Sequence, residues 1–187
     1  MKKILTLIAA LACFSSVWAQ KAIDVIPSSE IFDMITYRYI TLANEDADAQ
    51  TVIDNYVPRF IGYGYTHELP GEGYGGPCSI IDGFYKDGVN DTDNYEFVPD
   101  PASYEANMVI ISACNDGDSS DYGYITITFY VYTPDLAELM LTDLVTNGFN
   151  LGKEGDNEDD AMILQKGNKT VTIAPCEDFV SYTYSVE

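Results

Sequence analysis

Tyr122-Gly123-Tyr124-Ile125-Thr126-Ile127-Thr128-Phe129-Tyr130-Val131-Tyr132 alternates apolar and hydroxyl-bearing residues along most of its length, and Thr133-Pro134-Asp135 follows directly. Successive side chains of a strand point to opposite faces. Ile125, Ile127, Phe129 and Val131 therefore form one face, and Tyr124, Thr126, Thr128, Tyr130 and Tyr132 the other. The first face is core. Thr133-Pro134-Asp135 reads as a helix start: a capping hydroxyl, a proline in the first turn where its missing N–H costs nothing, and an acid beside the positive end of the dipole. Leu136, Leu139, Met140 and Leu144 recur at helical spacing as a buried stripe, and Asn147-Gly148 closes the helix.

Toward the C-terminus, strands are expected over 149–153, 161–166 and 170–174, the last two joined by Gly167-Asn168, with a closing strand over 182–186. Toward the N-terminus, Met34-Ile35-Thr36-Tyr37-Arg38-Tyr39-Ile40-Thr41-Leu42 is rich in β-branched and aromatic residues and predicts a strand. Asn44-Glu45-Asp46 then opens a helix carrying Ala49, Val52, Ile53 and Tyr56, which Pro58 ends. A short strand over 60–66, a glycine-rich loop over 69–77 and a strand over 78–85 follow. The polar segment 86–94 leads through Pro99 and Pro101 to a strand over 106–113.

The order β-α-β-β-β thus occurs twice. It predicts an α+β fold of two similar β-α-β-β-β units, residues 20–120 and 121–187, the second with the closing strand added. Each unit would be an antiparallel sheet with one helix packed on one face. Ile35-Thr36-Tyr37 stands before the first helix as Ile127-Thr128-Phe129 stands before the second, and Val109, Ile111, Cys114 and Asp116 match Val171, Ile173, Cys176 and Asp178. A tandem duplication accounts for both correspondences.

Residues 1–19 are set apart from the fold. Met1-Lys2-Lys3, the apolar stretch 4–14 and Val17-Trp18-Ala19 resemble a bacterial secretory signal peptide cut before Gln20. Ala10-Leu11-Ala12-Cys13 competes as a lipobox, which would anchor the chain by a lipid on Cys13. The apolar stretch is too short to span a bilayer and no later segment reaches about 20 apolar residues, so no transmembrane segment is expected. The resemblance implies export, to the periplasm or beyond the cell.

At 187 residues, 47% hydrophobic and 21% charged, the chain has a globular composition rather than a collagen-like, coiled-coil or disordered one. It carries 9 basic against 30 acidic residues, a formal charge of −21. Lys2 and Lys3 leave with the leader and no acid does, so the mature chain is more negative still. Such a field repels phosphate backbones and anionic headgroups, which excludes nucleic acid as a partner, and it attracts cations and basic partners. Trp18, the only Trp, also leaves.

Three cysteines remain, Cys78, Cys114 and Cys176, an odd number where thiols oxidise. If the strand beginning at Cys78 pairs antiparallel with the one ending at Ala113, Cys78 faces Cys114, and that bridge is the expected one. A Cys114–Cys176 bridge, joining equivalent positions of the two units, is the alternative.

Tyrosines two apart recur at Tyr37/Tyr39, Tyr63/Tyr65 and Tyr182/Tyr184. Their rings offer flat amphipathic area to a glycan or a protein partner, and Tyr63, Tyr65, Tyr74, Tyr124, Tyr130 and Tyr132 are the candidate binding residues. Tyrosine is equally a good strand former, and in a two-layer fold some of these faces must be core. Asp116, Asp118 and Ser120 alternate as at the start of a calcium loop, and Asp116, Asp118 and Asp121 are the candidate metal residues, but no Gly stands at the sixth position that an EF-hand loop needs and Ile127 stands in place of its closing Glu. His67 is the only histidine, which removes sites needing two, and a pair with Cys78 would need a free thiol and an orienting group. The 30 acids supply too many carboxylate pairs to single out any for glycoside chemistry. The expected function is an exported, non-enzymatic binding or interaction module without a cofactor. A calcium-stabilised structural protein and a carboxylate-dependent hydrolase of an extracytoplasmic polymer are the alternatives.

Overall fold

Ile125, Ile127, Phe129 and Val131 are all buried in the structure, a computed structural model that describes residues 23–42, 49–68, 78–91, 96–114, 124–152 and 161–186. They belong to β6 (Tyr124–Val131), a central strand of one eight-stranded sheet. The other elements, in chain order, are α1 (Ser28–Leu42), α2 (Ala49–Gly62), β1 (Thr66–His67), β2 (Cys78–Lys86), β3 (Gly88–Asp91), β4 (Glu96–Pro99) and β5 (Asn107–Cys114). After β6 come α3 (Pro134–Thr146), β7 (Asn150–Leu151), β8 (Met162–Lys166), β9 (Lys169–Pro175) and β10 (Val180–Val186). The sheet order is β1-β2-β5-β6-β10-β9-β8-β7, antiparallel throughout, and β3 and β4 form a separate hairpin.

The fold is α+β, with one continuous sheet in place of the two expected. β6 and β10 pair along their length, Tyr182 opposite Phe129 and Tyr184 opposite Ile127, and so join two four-stranded meanders. All three helices of the described residues contribute to a single core against one sheet face. Ile31, Phe32, Met34 and Ile35 come from α1, Tyr56 and Phe60 from α2, and Leu136, Ala137, Met140 and Leu144 from α3. Opposite them lie Phe84, Val109, Ile111, Phe129, Val171, Ile173, Tyr182 and Tyr184. Phe60 stacks on Phe84 at 4.4 Å and Phe32 on Phe149 at 5.4 Å, while Tyr184 sets its ring edgewise to Phe32 at 5.4 Å. Such pairs add about 0.5–1.5 kcal/mol each beyond their buried area.

Several local expectations give way to packing. Residues 34–42 are helical and belong to α1, because Ile31, Phe32, Met34 and Ile35 place an apolar stripe on the sheet. Burying that stripe outweighs a strand preference worth only tenths of a kcal/mol per residue. α2 runs through Pro58 to Gly62 and so buries Phe60 completely, which leaves only Thr66–His67 of the expected strand over 60–66. The segment beyond β2 forms the β3–β4 hairpin, with Val89 opposite Val98. In α3 the Thr133 hydroxyl makes no cap; it donates instead to the Tyr104 carbonyl at 2.7 Å. Ala137 takes the inward position expected of Leu139, which is exposed. Asn147-Gly148 closes α3 as expected, with Gly148 at φ 81°, and Gly167 at φ 64° turns β8 into β9.

Gly88 sits where no side chain fits. A Cβ there would lie 2.3 Å from the Phe97 ring and 2.7 Å from the Val98 carbonyl oxygen. Gly88→Ala is expected to cost about 1–3 kcal/mol, as overpacking does, because Phe97 is itself wedged against Tyr85 and Tyr132. A shift of the thermal midpoint by less than a degree would contradict this placement of the hairpin.

Candidate functional site

With the helices on one face of the sheet, the other face collects the alternate residues of its central strands. The register aligns Ser112, Thr126, Ser185 and Thr170 in one row across β5, β6, β10 and β9. Ile110, Thr128, Thr183 and Thr172 form the next row, and Met108, Tyr130, Ser181 and Ala174 the third. Strands lie about 4.8 Å apart and alternate residues on a strand about 6.7 Å apart, so the hydroxyls form a grid, in which Thr126, Thr128, Thr172, Ser181, Thr183 and Ser185 are half-buried while Thr170 and the neighbouring Ile110 are buried. The Thr128 and Thr183 hydroxyls are 3.1 Å apart and bonded to each other, and each keeps further donor or acceptor capacity. None of these residues is charged, in a chain of net charge −21. At one end of the face Phe179 sets its ring against Tyr130 and Tyr132, at 5.4 and 5.5 Å, and Tyr132 also meets Phe97.

Polar groups on the helix side are concentrated in the first half of the chain. Asp82 on β2 is buried and accepts a hydrogen bond from the Tyr56 hydroxyl of α2. Its other oxygen lies 2.5 Å from His67 Nε2 on β1, and the His67 ring stacks on Phe84 at 4.8 Å. Two residues on, Lys86 Nζ is 2.7 Å from Glu105 Oε2, with both side chains only 9% exposed, and Glu105 Oε1 accepts the Asp24 N–H at 3.2 Å. Lys86 also lies over the Tyr65 ring, 5.7 Å from its centre. Each of these two buried carboxylates is committed to internal partners. His67, Asp82 and Tyr56 thereby tie the short edge strand β1 and helix α2 to β2, a positioning role that a lone histidine in a loop sequence does not advertise.

The expected site residues are dispersed by the fold. Tyr130 and Tyr132 lie on or beside the open face, half-buried, and Tyr124 is on the same strand, described by its backbone alone. Tyr65 is a correction: at 7% exposure it belongs to the core and offers no ring to a partner. Tyr63 is half-buried and donates to Glu30 Oε2 at 2.9 Å, and that bond holds its hydroxyl proton above the usual range. Tyr182 and Tyr184 point into the core, so the open face of β10 is Ser181, Thr183 and Ser185 instead. Tyr74, Asp116, Asp118 and Asp121 lie outside the described residues. Cys78 and Cys114 are direct partners in the β2–β5 register, as expected, and are described by backbone alone; Cys176 is an exposed free thiol. Among the described residues no three His, Cys, Asp or Glu side chains gather as metal ligands, and no helix is long and apolar enough to cross a membrane.

The sequence signal for the grid was present. Thr126-Ile127-Thr128, Thr170-Val171-Thr172 and Ser181-Tyr182-Thr183-Tyr184-Ser185 all place hydroxyls at period two, but only the register across strands brings them together. Comparisons of this chain with protein-family models, with curated proteins and with solved structures give no match.

Proposed function

We propose that the chain is an exported, non-enzymatic binding module whose open sheet face takes a neutral, hydroxyl-rich ligand, a glycan rather than a polyelectrolyte. The observation that carries this reading is the uncharged hydroxyl grid centred on Thr128 and Thr183. A sheet face open to water is ordinarily the place for charge, and this chain has acids in excess. Serine and threonine hydroxyls can donate to and accept from sugar hydroxyls without the desolvation cost of an ion. Tyr130 and Phe179 add an aromatic edge of the kind that lies against a sugar ring.

The same reading includes a tandem duplication, with its units drawn as α2 to β6 and α3 to β10 in place of 20–120 and 121–187. Residues 35–37 lie in helix α1 and 127–129 in strand β6, so that correspondence fails, and only the match of Val109 and Ile111 on β5 with Val171 and Ile173 on β9 is kept. In the chain, α2 is followed by a two-residue edge strand and then β2, β5 and β6; α3 is followed by a two-residue edge strand and then β8, β9 and β10. The sheet order is therefore the same when counted from either edge. Two copies of one helix-and-meander unit, joined through β6 and β10, would build one wide face from two narrow ones.

The test is retention of residues 20–187 on insoluble cellulose, chitin and starch, with heparin as the anionic control. Retention on at least one neutral polymer is expected, and Thr183→Glu is expected to weaken it at least tenfold. Thr183 is half-buried, with its hydroxyl bonded to Thr128, and equal thermal midpoints of variant and parent check that the fold survives the substitution. Retention on none of the three, or retention undiminished in the variant, would overturn the reading.

A further inference from the structure

A groove of about 300 Å³ lies beyond the open face, where the segment after β4 meets the start of α3. Its walls include Asp100, Pro101 and Tyr104 on one side and Tyr132, Pro134 and Asp135 on the other. The groove is held in shape before any ligand arrives. Asp100 Oδ1 accepts the Ala102 N–H at 2.9 Å, the Ser103 hydroxyl donates to Asp87 Oδ2 at 2.6 Å, and the Asp100 N–H donates to the Asp87 carbonyl at 2.9 Å. The Thr133 hydroxyl joins the two walls by donating to the Tyr104 carbonyl, and the Tyr132 N–H donates to Ala106. That use of Thr133 leaves the start of α3 without a side-chain cap, so the hydroxyl serves the groove at the expense of the helix.

We infer that this groove binds the cationic side chain of an arginine- or lysine-bearing segment of another polypeptide. Tyr104 is 62% exposed, an uncommon state for so large a ring, and a tyrosine face attracts a cation. Asp100 and Asp135 bring two full negative charges, which exceed the half charge of the helix start beside Asp135. Among the described residues no cation lines the groove. Lys86 is paired with Glu105, Arg59 with Asp33, Lys166 with the Asn147 carbonyl, and Lys169 lies over Phe32. At the lower end of ligand-site volumes, the groove suits one extended side chain and its flanking peptide rather than a polymer. The chain's net charge of −21 would draw a basic partner by long-range attraction.

The experiment titrates residues 20–187 with acetyl-Arg-Gly-Arg-amide, followed by calorimetry and by backbone amide shifts. The probes for comparison are the same peptide with citrulline in place of arginine, which keeps shape and loses charge, and with glutamate. Three variants are compared: Tyr104→Ser, Asp100→Asn/Asp135→Asn, and Asp159→Asn/Asp160→Asn. The last removes equal charge from the stretch of chain that joins β7 to β8, the two strands at the other edge of the sheet. Binding of the arginine peptide at least tenfold tighter than the citrulline peptide is expected, with shifts at Tyr132 and Thr133. Tyr104→Ser and the Asp100/Asp135 variant should each weaken it at least fivefold, and the Asp159/Asp160 variant by less than twofold. Thermal midpoints of all variants check the fold, and Tyr104 and Asp135 can be tested singly if Asp100→Asn disturbs its loop. Equal weakening in the Asp159/Asp160 variant would mean general attraction to an acidic chain, and would overturn the proposal. So would no preference over citrulline, or no effect of Tyr104→Ser. These outcomes are independent of polysaccharide retention, which reads the open face.

Discussion

Glu105→Gln will lower the stability of the fold by about 3–5 kcal/mol, because it leaves the Lys86 ammonium buried without its counter-charge. Both side chains are 9% exposed, and the 2.7 Å contact between them stands beneath Tyr65. The carboxylate also accepts the Asp24 N–H, so an amide there would present a donor to one of its two partners. For a chain of this size each kcal/mol moves the thermal midpoint by about 2–4 °C, so the loss will be evident in a simple melt. Lys86→Met/Glu105→Leu removes both charges and keeps apolar volume, and it should recover most of the loss, since paired ions replaced by packed hydrocarbon are often neutral or better. Urea midpoints for the two single variants and the double variant make the measurement. A double variant as unstable as the singles would show that the pair earns more from its attraction than desolvation takes.

That pair shows where sequence reading runs out. Lys86 and Glu105 lie nineteen positions apart, with the β3–β4 hairpin between them, and nothing local marks either as buried. Ile125, Ile127, Phe129 and Val131 were legible because a strand writes its core face into its own sequence at period two. α3 was legible for a similar reason, through its proline start and its Asn147-Gly148 end. α1 was not: β-branched and aromatic residues over 34–42 favour a strand by small amounts, and only a waiting sheet face makes Phe32 and Ile35 better placed on a helix. The joining of two meanders into one sheet was also hidden, since β6–β10 partners lie 49 to 59 positions apart in the chain and neither strand carries a local signal for its partner. The open face stood in between. Its hydroxyls were visible strand by strand, yet attention to tyrosine pointed to Tyr182 and Tyr184, which are core, and away from Thr183 between them.

Those buried tyrosines set a limit on the fold at high pH. Raising the pH above about 10 will unfold the protein in a steep, cooperative step. Tyr65, Tyr182 and Tyr184 are 7%, 3% and 1% exposed, and burial holds each phenol well above its usual range; Tyr184 has further help from the charges of its neighbours. In the unfolded chain the same groups ionise near pH 10. Below that pH both states keep the protons and the tyrosines contribute their full stability. Above it the unfolded state loses protons that the folded state retains, so stability falls as pH rises. Each group contributes about 1.4 kcal/mol per pH unit, and three together about 4 kcal/mol. One to two pH units then consume most of an ordinary folding stability of about 5–15 kcal/mol. Residues 20–187 contain no Trp, so they report this cleanly through tyrosinate absorbance. The buried group should appear in one late step that coincides with loss of far-ultraviolet circular dichroism. Tyr184→Phe removes one of these protons while keeping the ring against Phe32 and Phe129, and should move that step to higher pH and make it shallower. Gradual ionisation of all fifteen tyrosines with the circular dichroism unchanged would mean that these rings are reached by water, and that the core drawn around β6 and β10 is not the one the chain adopts.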